Sequence, residues 1–396
     1  MNTTPIQDPQ ATTAAPRRPL LPFDPLLLLA TLGLAACSLV VIAGATKDDI
    51  PGSPDYYVTR QGVYFGVGIA LMIVLARIDY SRLRELKYGI YGVLMVSILA
   101  VLALGATAKG AQRAIQLPFF SFQASELGKV LLVLVLSAIV VDRSRNIAQR
   151  ETTALVMLLT LVPCFFVIAQ PDLGSGLVYI VVSLAVLFVA GTSWRHFAGL
   201  AALGAVAVTL VLVAAPAMGV EVLHGYQKAR LTAFLNPTDN PQKQGYQQLQ
   251  SKIAIGAGQK TGRGERNATQ TQGNFLPEHH TDFIFAVVGE RYGFIGAALV
   301  LSLYALLIWR ALRILTVSKN LFGALVAGGV VGMLLFQVFV NVGMNLGIMP
   351  ITGIPLPLMS YGGSSVLTTL LALGLLQAIY AQGRAASAHK SFGPRL

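Results

Sequence analysis

Residues 275–285 read Phe-Leu-Pro-Glu-His-His-Thr-Asp-Phe-Ile-Phe. The segment closes a long polar stretch and opens a strongly apolar one. Asp282 therefore stands where water meets a membrane, with Glu278, His279 and His280 just upstream. A carboxylate at such a boundary is partly desolvated, which raises its pKa and suits it to take a proton from a membrane-bound substrate. Basic surroundings act the other way, and the sequence leaves that balance open. The two histidines raise the question of a metal. Adjacent histidines do not converge readily on one ion in regular structure, and Cys37 and Cys164 lie far off in apolar runs. No built-in transition-metal site is expected from Glu278, His279, His280 and Asp282. A magnesium or manganese ion bridging Asp282 and a substrate phosphate is compatible with the residue types.

Four further charges stand in or beside apolar runs. Glu126 and Lys129 are three residues apart at the start of one run, so on a helix they share a face and can pair. Arg60 and Arg113 fall at the same membrane face as Asp282. Each alone is compatible with snorkelling to lipid phosphates. Together with Lys252 and the other bases of the polar stretch they make a positive pocket suited to an anionic head group, because guanidinium forks match phosphate oxygens. Residues 347–365 hold three prolines and four glycines, Gly347 included, which forbids a continuous helix. Such backbone survives at membrane depth only when it is buried in protein or lines a cavity. Ser360, Gly362, Gly363 and Ser364 then lead into the last apolar run, where backbone amides at a helix start can cradle a phosphate or pyrophosphate. The bland alternative is a tight turn with hydroxyl caps. A similar turn at 170–176 places Asp172 either as a helix cap or on a cavity wall, with the cap favoured.

The elements that must position these residues follow from composition. The chain has 396 residues, 55% hydrophobic and 12% charged, against roughly 25% charged in soluble domains. It reads as an all-α polytopic membrane protein with about ten transmembrane helices, placed at 26–45, 58–76, 88–106, 124–141, 153–169, 175–190, 197–216, 283–309, 321–345 and 364–381. Residues 1–25 read as a disordered cytoplasmic tail without a signal peptide, 217–282 as one large outer loop between helices 7 and 8, and 382–396 as a cytoplasmic tail. Within that loop residues 246–255 suit a short amphipathic surface helix with Leu249 and Ile253 toward lipid.

A net charge of +12 suggests nucleic acid until its distribution is examined. Arg17 and Arg18; Arg77, Arg82, Arg84 and Lys87; Arg143, Arg145 and Arg150; Arg195; Arg310, Arg313 and Lys319; and Arg384, Lys390 and Arg395 all fall on one side of a ten-span chain. That is the positive-inside pattern, and it places both termini in the cytoplasm.

These motifs resemble the SEDS family (shape, elongation, division and sporulation proteins) over roughly residues 23–381. The strongest segments are 109–129, 170–176, 245–258, 274–285 and 341–365. Residues 351–357, Ile-Thr-Gly-Ile-Pro-Leu-Pro, look more like the elongation branch, RodA, than the division branch, FtsW. The resemblance implies ten transmembrane helices and a peptidoglycan glycosyltransferase that polymerises lipid II, an undecaprenyl-pyrophosphate-linked glycan, on the outer face of the bacterial inner membrane. It implies a class B penicillin-binding protein as partner, alongside other membrane proteins of the elongation complex. The family's essential outer-loop acid matches Asp282, its intramembrane Glu and Lys match Glu126 and Lys129, and its arginines match Arg60 and Arg113. Departures stand at Ala114, where the family commonly has Trp; at Ala124, where Pro is common; at Glu290-Arg291, where an acidic pair is common; and in the turn 259–265, which is more polar than usual. A lipid flippase and a scaffold that activates the penicillin-binding protein remain the alternative classes. Movement of labelled lipid without glycan formation marks the first, and cell elongation that survives loss of Asp282 marks the second.

Overall fold

The computed structural model describes residues 23–47, 49–108, 111–117, 119–218, 244–273 and 275–391. The tail before residue 23 with Arg17 and Arg18, Lys109, loop residues 219–243 with Lys228, Arg230 and Lys243, Asn274, and the chain end with Arg395 lie outside the described residues.

All ten anticipated spans are helices. They are α1 (Pro25–Ala45), α2 (Tyr56–Arg77), α3 (Lys87–Leu104), α4 (Ala124–Asp142), α5 (Arg150–Ala169), α6 (Leu173–Val189) and α7 (Trp194–Thr209), then, after the surface helix α8 (Gln244–Gly258), α9 (Ile284–Val317), α10 (Leu321–Leu346) and α11 (Gly363–Ser391). Among the described residues nine are long and apolar enough to cross a membrane, α7 being continued by a π-helical turn to Ala214, and α6, at 17 residues, is the short one. The helix α11 runs past 381, where the sequence reading ended it, because polar residues 382–391 carry the same helix beyond the apolar core.

Local signals set the boundaries. Asp24 caps α1 by accepting from the Leu27 amide at 2.9 Å, with Pro25 at the first helical position. Asn320 caps α10 by accepting from Gly323 at 2.9 Å, and Gly347, at φ 75°, ends it in the left-handed conformation. The anticipated short helix between spans 7 and 8 is formed as α8: Leu249 and Ile253 are exposed, whereas Gln248, Ser251 and Ala254 are buried against the bundle. One element was not foreseen. Between α3 and α4 a small antiparallel sheet orders β1 (Ala106–Ala108), β2 (Ala111–Gln116) and β3 (Ser121–Phe122), with Thr107 opposite Gln112 and Gln116 opposite Ser121.

The helices α4, α10 and α11 are the most enclosed. Lipid tails are as apolar as the core, so close packing of small residues has to hold these helices together. Gly328 and Gly332 of α10 lie directly against Val189 at the end of α6 and Ala185 within it, where any β-carbon would overlap a neighbour or press on it. At one end of the bundle the basic clusters join neighbouring connections: Arg84 pairs with Asp142 at 2.7 Å, Lys87 pairs with the same carboxylate, and Lys319 bonds Asp79 at 3.1 Å and Gln382 at 2.7 Å. Arg310 pairs with Asp24, whose backbone is in turn held by Gln377.

The eighth span departs from expectation. α9 is broken at Gly293, which sits at φ 62° and ψ −156°, a region essentially confined to glycine. The break releases backbone groups that must find partners. The turn at 259–264 supplies them: Arg263 N donates to Glu290 O at 2.9 Å, Gly264 N donates to Arg291 O at 3.0 Å, and Phe294 N and Ile295 N donate to Gln259 O and Lys260 O at 2.9 and 3.2 Å. A β-carbon on Gly293 would overlap the Gly262 backbone. Gly293→Ala is expected to cost at least the ~1–3 kcal/mol of a residue forced into a sparsely populated conformation, read as a lower Tm of the detergent-purified protein. Gly89→Ala, whose β-carbon would meet open space within α3, is the control expected not to lower Tm. Equal Tm values for the two variants would remove the break as a structural requirement.

Candidate active site

At the end of the bundle opposite the basic clusters, two irregular segments meet. One is the turn 278–283 that precedes α9, with Glu278 at φ 57°; the other is 347–362, with Leu358 at φ 63°. As anticipated for broken backbone at depth, the second is buried over most of its length: Ile354, Leu356, Leu358 and Met359 are almost fully enclosed, and only its start, with Ile348, is exposed. Side-chain amides fasten the two segments. Asn341 and Asn345, one turn apart on α10, both donate to Asp282 O, at 3.1 and 3.2 Å. Asn341 also donates to Ile354 O at 2.8 Å, and the carbonyl of Asn345 accepts from Ala286 N at 3.1 Å. Ser360 Oγ donates to Thr281 O at 2.6 Å and accepts from Leu356 N at 2.8 Å. Tyr361 N donates to His280 O at 2.8 Å. Gln61 on α2 donates to Ser360 O at 3.1 Å and accepts from Gly362 N at 3.3 Å. The half-buried Asp282 thus stands on a turn whose main chain is held from α10 on one side and from 360–361 on the other.

Arg60, half-buried on α2 one residue before Gln61, stacks over the Tyr56 ring at 4.5 Å. Below it Tyr57, Tyr361 and His280 form an aromatic group, with His280 4.7 Å from Tyr57 and 5.8 Å from Tyr361 between ring centres. Burial, then the neighbouring Tyr64, pushes the Tyr361 phenol above its ordinary value, and the positive charge of Arg60 offsets only part of the effect.

A second polar group lies at the start of α4. Lys129 donates to Glu126 at 2.5 Å, and both are buried, 1% and 3% exposed. The face-sharing pair read from sequence is formed. Asp172 takes the role of helix cap that was favoured for it, and it also binds two residues at the start of α4. It caps α6 by accepting from Ser175 N at 3.1 Å, and it accepts from Ser125 Oγ at 2.8 Å and Gln123 Nε2 at 3.1 Å. The two polar groups are joined through the start of α11, where Ser364 Oγ donates to Ser121 O at 2.6 Å and accepts from Gln123 N at 2.9 Å.

Arg60, Ser360, Gly362, Gly363 and Ser364 therefore gather around the joint that holds the Asp282 turn, with Gly363 packed directly on Phe120. The hydroxyls of Ser360 and Ser364 are engaged with backbone groups of that joint. Lys252 is exposed on α8 and lies across Gly347, where no β-carbon would fit. Arg113 falls on β2, and its side chain lies outside the described residues. Gln61, Asn341, Asn345 and Gln123 were not singled out by sequence reasoning. The available signal was a carboxamide inside an apolar run, which is costly in lipid unless bonded. Asp49, between α1 and α2, was also missed; its Oδ2 lies 3.2 Å from His279 Nε2 and 3.7 Å from His280 Nδ1.

Two of the departures from the family pattern meet physically. Arg291 is buried, and its guanidinium reaches Gly44 of α1 beside the Glu265 carboxylate: a β-carbon on Gly44 would overlap Arg291 Nη1 and stand 3.2 Å from Glu265 Oε1. Glu290, fully buried, accepts from Gln270 N at 2.7 Å, Thr271 N at 3.0 Å and Thr271 Oγ1 at 2.5 Å.

The helix set and this stapled, charged end define a polytopic membrane protein with an acidic turn at one mouth of the bundle. The chain belongs to the FtsW/RodA/SpoVE family of cell cycle proteins, which matches residues 22–385 and is the SEDS family indicated by the motifs. The peptidoglycan glycosyltransferase MrdB of Escherichia coli (strain K12) is 38% identical over 90% of this chain and 93% of its own length. The peptidoglycan glycosyltransferase RodA of Treponema pallidum is 34% identical over 91% of this chain and 98% of its own. Among solved structures, a chain of a peptidoglycan synthase complex that coordinates polymerization and crosslinking aligns with a TM-score of 0.76 at 33% identity, covering 91% of this chain and 98% of that one. The rod shape determining protein RodA of Thermus thermophilus aligns with a TM-score of 0.66 at 30% identity, covering 91% and 97%.

The buried pair can be tested apart from any activity. Lys129→Met or Glu126→Gln alone leaves one uncompensated buried charge and is expected to cost about 3–5 kcal/mol, whereas the double variant is expected to recover most of the loss. Thermal unfolding of the three variants reads this directly. A double variant that loses the sum of the two single losses would show that the two groups do not act as a pair.

Proposed function

We propose that this chain is a peptidoglycan glycosyltransferase of the cell-elongation type, that it polymerises lipid II at the outer face of the bacterial inner membrane, and that Asp282 is its general base. Membership of a family whose relatives carry that activity supports the reaction class. The observation that carries the assignment of the base is the turn at Asp282, held at its main chain by Asn341, Asn345 and, through Thr281, Ser360. A carboxylate so anchored at the bundle mouth keeps its direction without reorganising during reaction, which is what positioned acid–base and electrostatic catalysis require.

In this reading one lipid-linked glycan is the donor, and its pyrophosphate is neutralised by the arginines and lysines of the mouth, with Arg60 and Arg113 foremost. The 4-hydroxyl of the acceptor's N-acetylglucosamine attacks the donor's anomeric carbon. Asp282 takes the hydroxyl proton, the new glycosidic C–O bond forms, and the bond to undecaprenyl pyrophosphate breaks with its electrons leaving on the phosphate oxygen. An apolar cavity of about 580 Å³ lined by Ile255, Phe285, Phe294, Ala297, Val342 and Leu346 opens between α8, α9 and α10, beginning three residues beyond Asp282. Its lining suits an isoprenoid chain. The same reading places both termini in the cytoplasm, on the side of the basic clusters, and takes a class B penicillin-binding protein as the crosslinking partner, with other elongation-complex membrane proteins around them.

Glycan-strand formation from labelled lipid II by the purified protein, with and without its class B partner, tests the reading. Asp282→Asn is expected to fold, to keep its Tm, and to lose about 10²–10⁴-fold in rate, the usual worth of a positioned acid–base group. Wild-type turnover by a folded Asn variant would remove Asp282 as the base. Absence of polymer from wild type in the presence of partner, with labelled lipid II crossing the membrane instead, would replace the enzyme with a transporter.

A further inference from the structure

The Asp49 carboxylate faces two imidazoles. His279 Nδ1 lies 3.1 Å from Leu276 O. A carbonyl only accepts, so Nδ1 carries the proton, and in the neutral ring the Nε2 lone pair is the free one. That Nε2 points at Asp49 Oδ2 from 3.2 Å. His279 is 5% exposed, and its Nε2 has no hydrogen-bonding partner among the described residues. Two acceptors at this distance repel unless a cation stands between them. A proton on Nε2 would serve these two atoms. The arrangement has a third member, because His280 Nδ1 approaches the same Oδ2 at 3.7 Å and the three donor atoms all lie within 4.8 Å of one another. Donors of a tetrahedral ion bound at about 2.0–2.1 Å stand ~3.3 Å apart. The two distances to Asp49 Oδ2, 3.2 and 3.7 Å, are near that value, and the two imidazoles, within 4.8 Å of each other, have to draw together around an ion to complete its shell.

The surroundings hold the donors in place. The His280 backbone is fixed by Tyr361 N, and its ring packs against Tyr57 and Tyr361. Hydrogen bonding of His279 to Leu276 is the outer-sphere contact that sets the tautomer of a metal-binding imidazole. Glu278, next to His279 in the chain, instead accepts from Thr281 Oγ1 at 2.9 Å. The sequence argument against convergence of adjacent histidines applies to helices and strands, and 279–280 lie in a turn.

We propose that Asp49 Oδ2, His279 Nε2 and His280 Nδ1 bind one borderline divalent ion of the zinc class, which ties the connection between α1 and α2 to the turn that carries Asp282. Two imidazoles and one carboxylate disfavour magnesium and calcium, which prefer all-oxygen shells, and suit zinc or the neighbouring transition ions. Three protein donors leave a fourth position for water or an anionic oxygen. The site does not depend on the glycosyl-transfer reading.

The test uses the full-length, untagged protein in detergent, stripped with chelator and then titrated with zinc, with cobalt(II) as a spectroscopic stand-in. Wild type is expected to retain about one equivalent, to show cobalt d–d bands of a low-coordinate site, and to gain Tm with zinc concentration as mass action requires. Asp49→Asn and His279→Gln are each expected to weaken zinc binding by more than ~100-fold, since even loss of an outer-sphere partner costs 10–100-fold, and to abolish the zinc-dependent rise in Tm. Should Asp49→Asn fail to fold, His279→Gln and the wild-type Tm response decide the matter. Wild type that binds no more zinc than the variants, or a His279 that carries both ring protons in excess zinc, would overturn the site in favour of an imidazolium–carboxylate pair.

Discussion

The whole far end of this molecule depends on one constraint: main-chain amides and carbonyls that leave helical geometry at membrane depth must find partners inside the protein. Three stretches do so, the turn 278–283, the segment 347–362 and the break at Gly293. The partners differ with the size of the gap. At Gly293 the backbone of 259–264 supplies both donors and acceptors, so a loop functions as a missing piece of helix. At the other two, single carboxamides and one hydroxyl reach across: Asn341 and Asn345 from α10, Gln61 from α2, and Ser360 from within the irregular segment. Each is a polar group that would be costly in lipid, and each becomes stabilising because it satisfies two or more backbone atoms at once.

That solution has a chemical consequence. The groups that satisfy the broken backbone also fix the direction of the side chains rising from it. Asp282 stands on a residue whose carbonyl is held twice. The start of α11 fastens this turn to α2 through Gln61 and to α4 through Ser364, Gln123 and Asp172. The buried Glu126–Lys129 pair begins one residue beyond Ser125, which shares Asp172 with Gln123. The two polar groups are thus joined by one continuous set of hydrogen bonds through the start of α11.

What the sequence revealed, and what it did not, divides by range. The ten spans were legible because a long apolar run needs no knowledge of its neighbours. The Glu126–Lys129 pair was legible because a spacing of three on a helix is a local fact, and the cap at Asp172 for the same reason. Burial of 347–362 followed from its prolines and glycines together with its depth. The small sheet between α3 and α4 was hidden by Gly- and Ala-rich segments too short to show alternation. The break in α9 was hidden because one glycine in an apolar run is ordinary; its cause, the docked turn, lies about thirty residues upstream. Asp49 was invisible as a neighbour of His279 because nothing local distinguishes it from any acid in a short connection. The anchoring carboxamides carried a signal that went unused: Asn341 and Asn345 sit four apart in an apolar run, so they share one face and demand a common acceptor.

The departures from the family pattern gain a physical reading from the same geometry. An arginine at 291, where an acid is common, would bury a positive charge beside α1, and a buried charge persists only with a counterpart. The turn at 259–265 already has to lie here, because its backbone fills the break at Gly293. Its added polarity includes Glu265, whose carboxylate stands with the Arg291 guanidinium against Gly44. The lack of a side chain at Gly44 leaves the room both groups occupy. The polar turn and the reversed charge thus meet at one place, against Gly44, while Glu290, still an acid, keeps its own three bonds to Gln270 and Thr271.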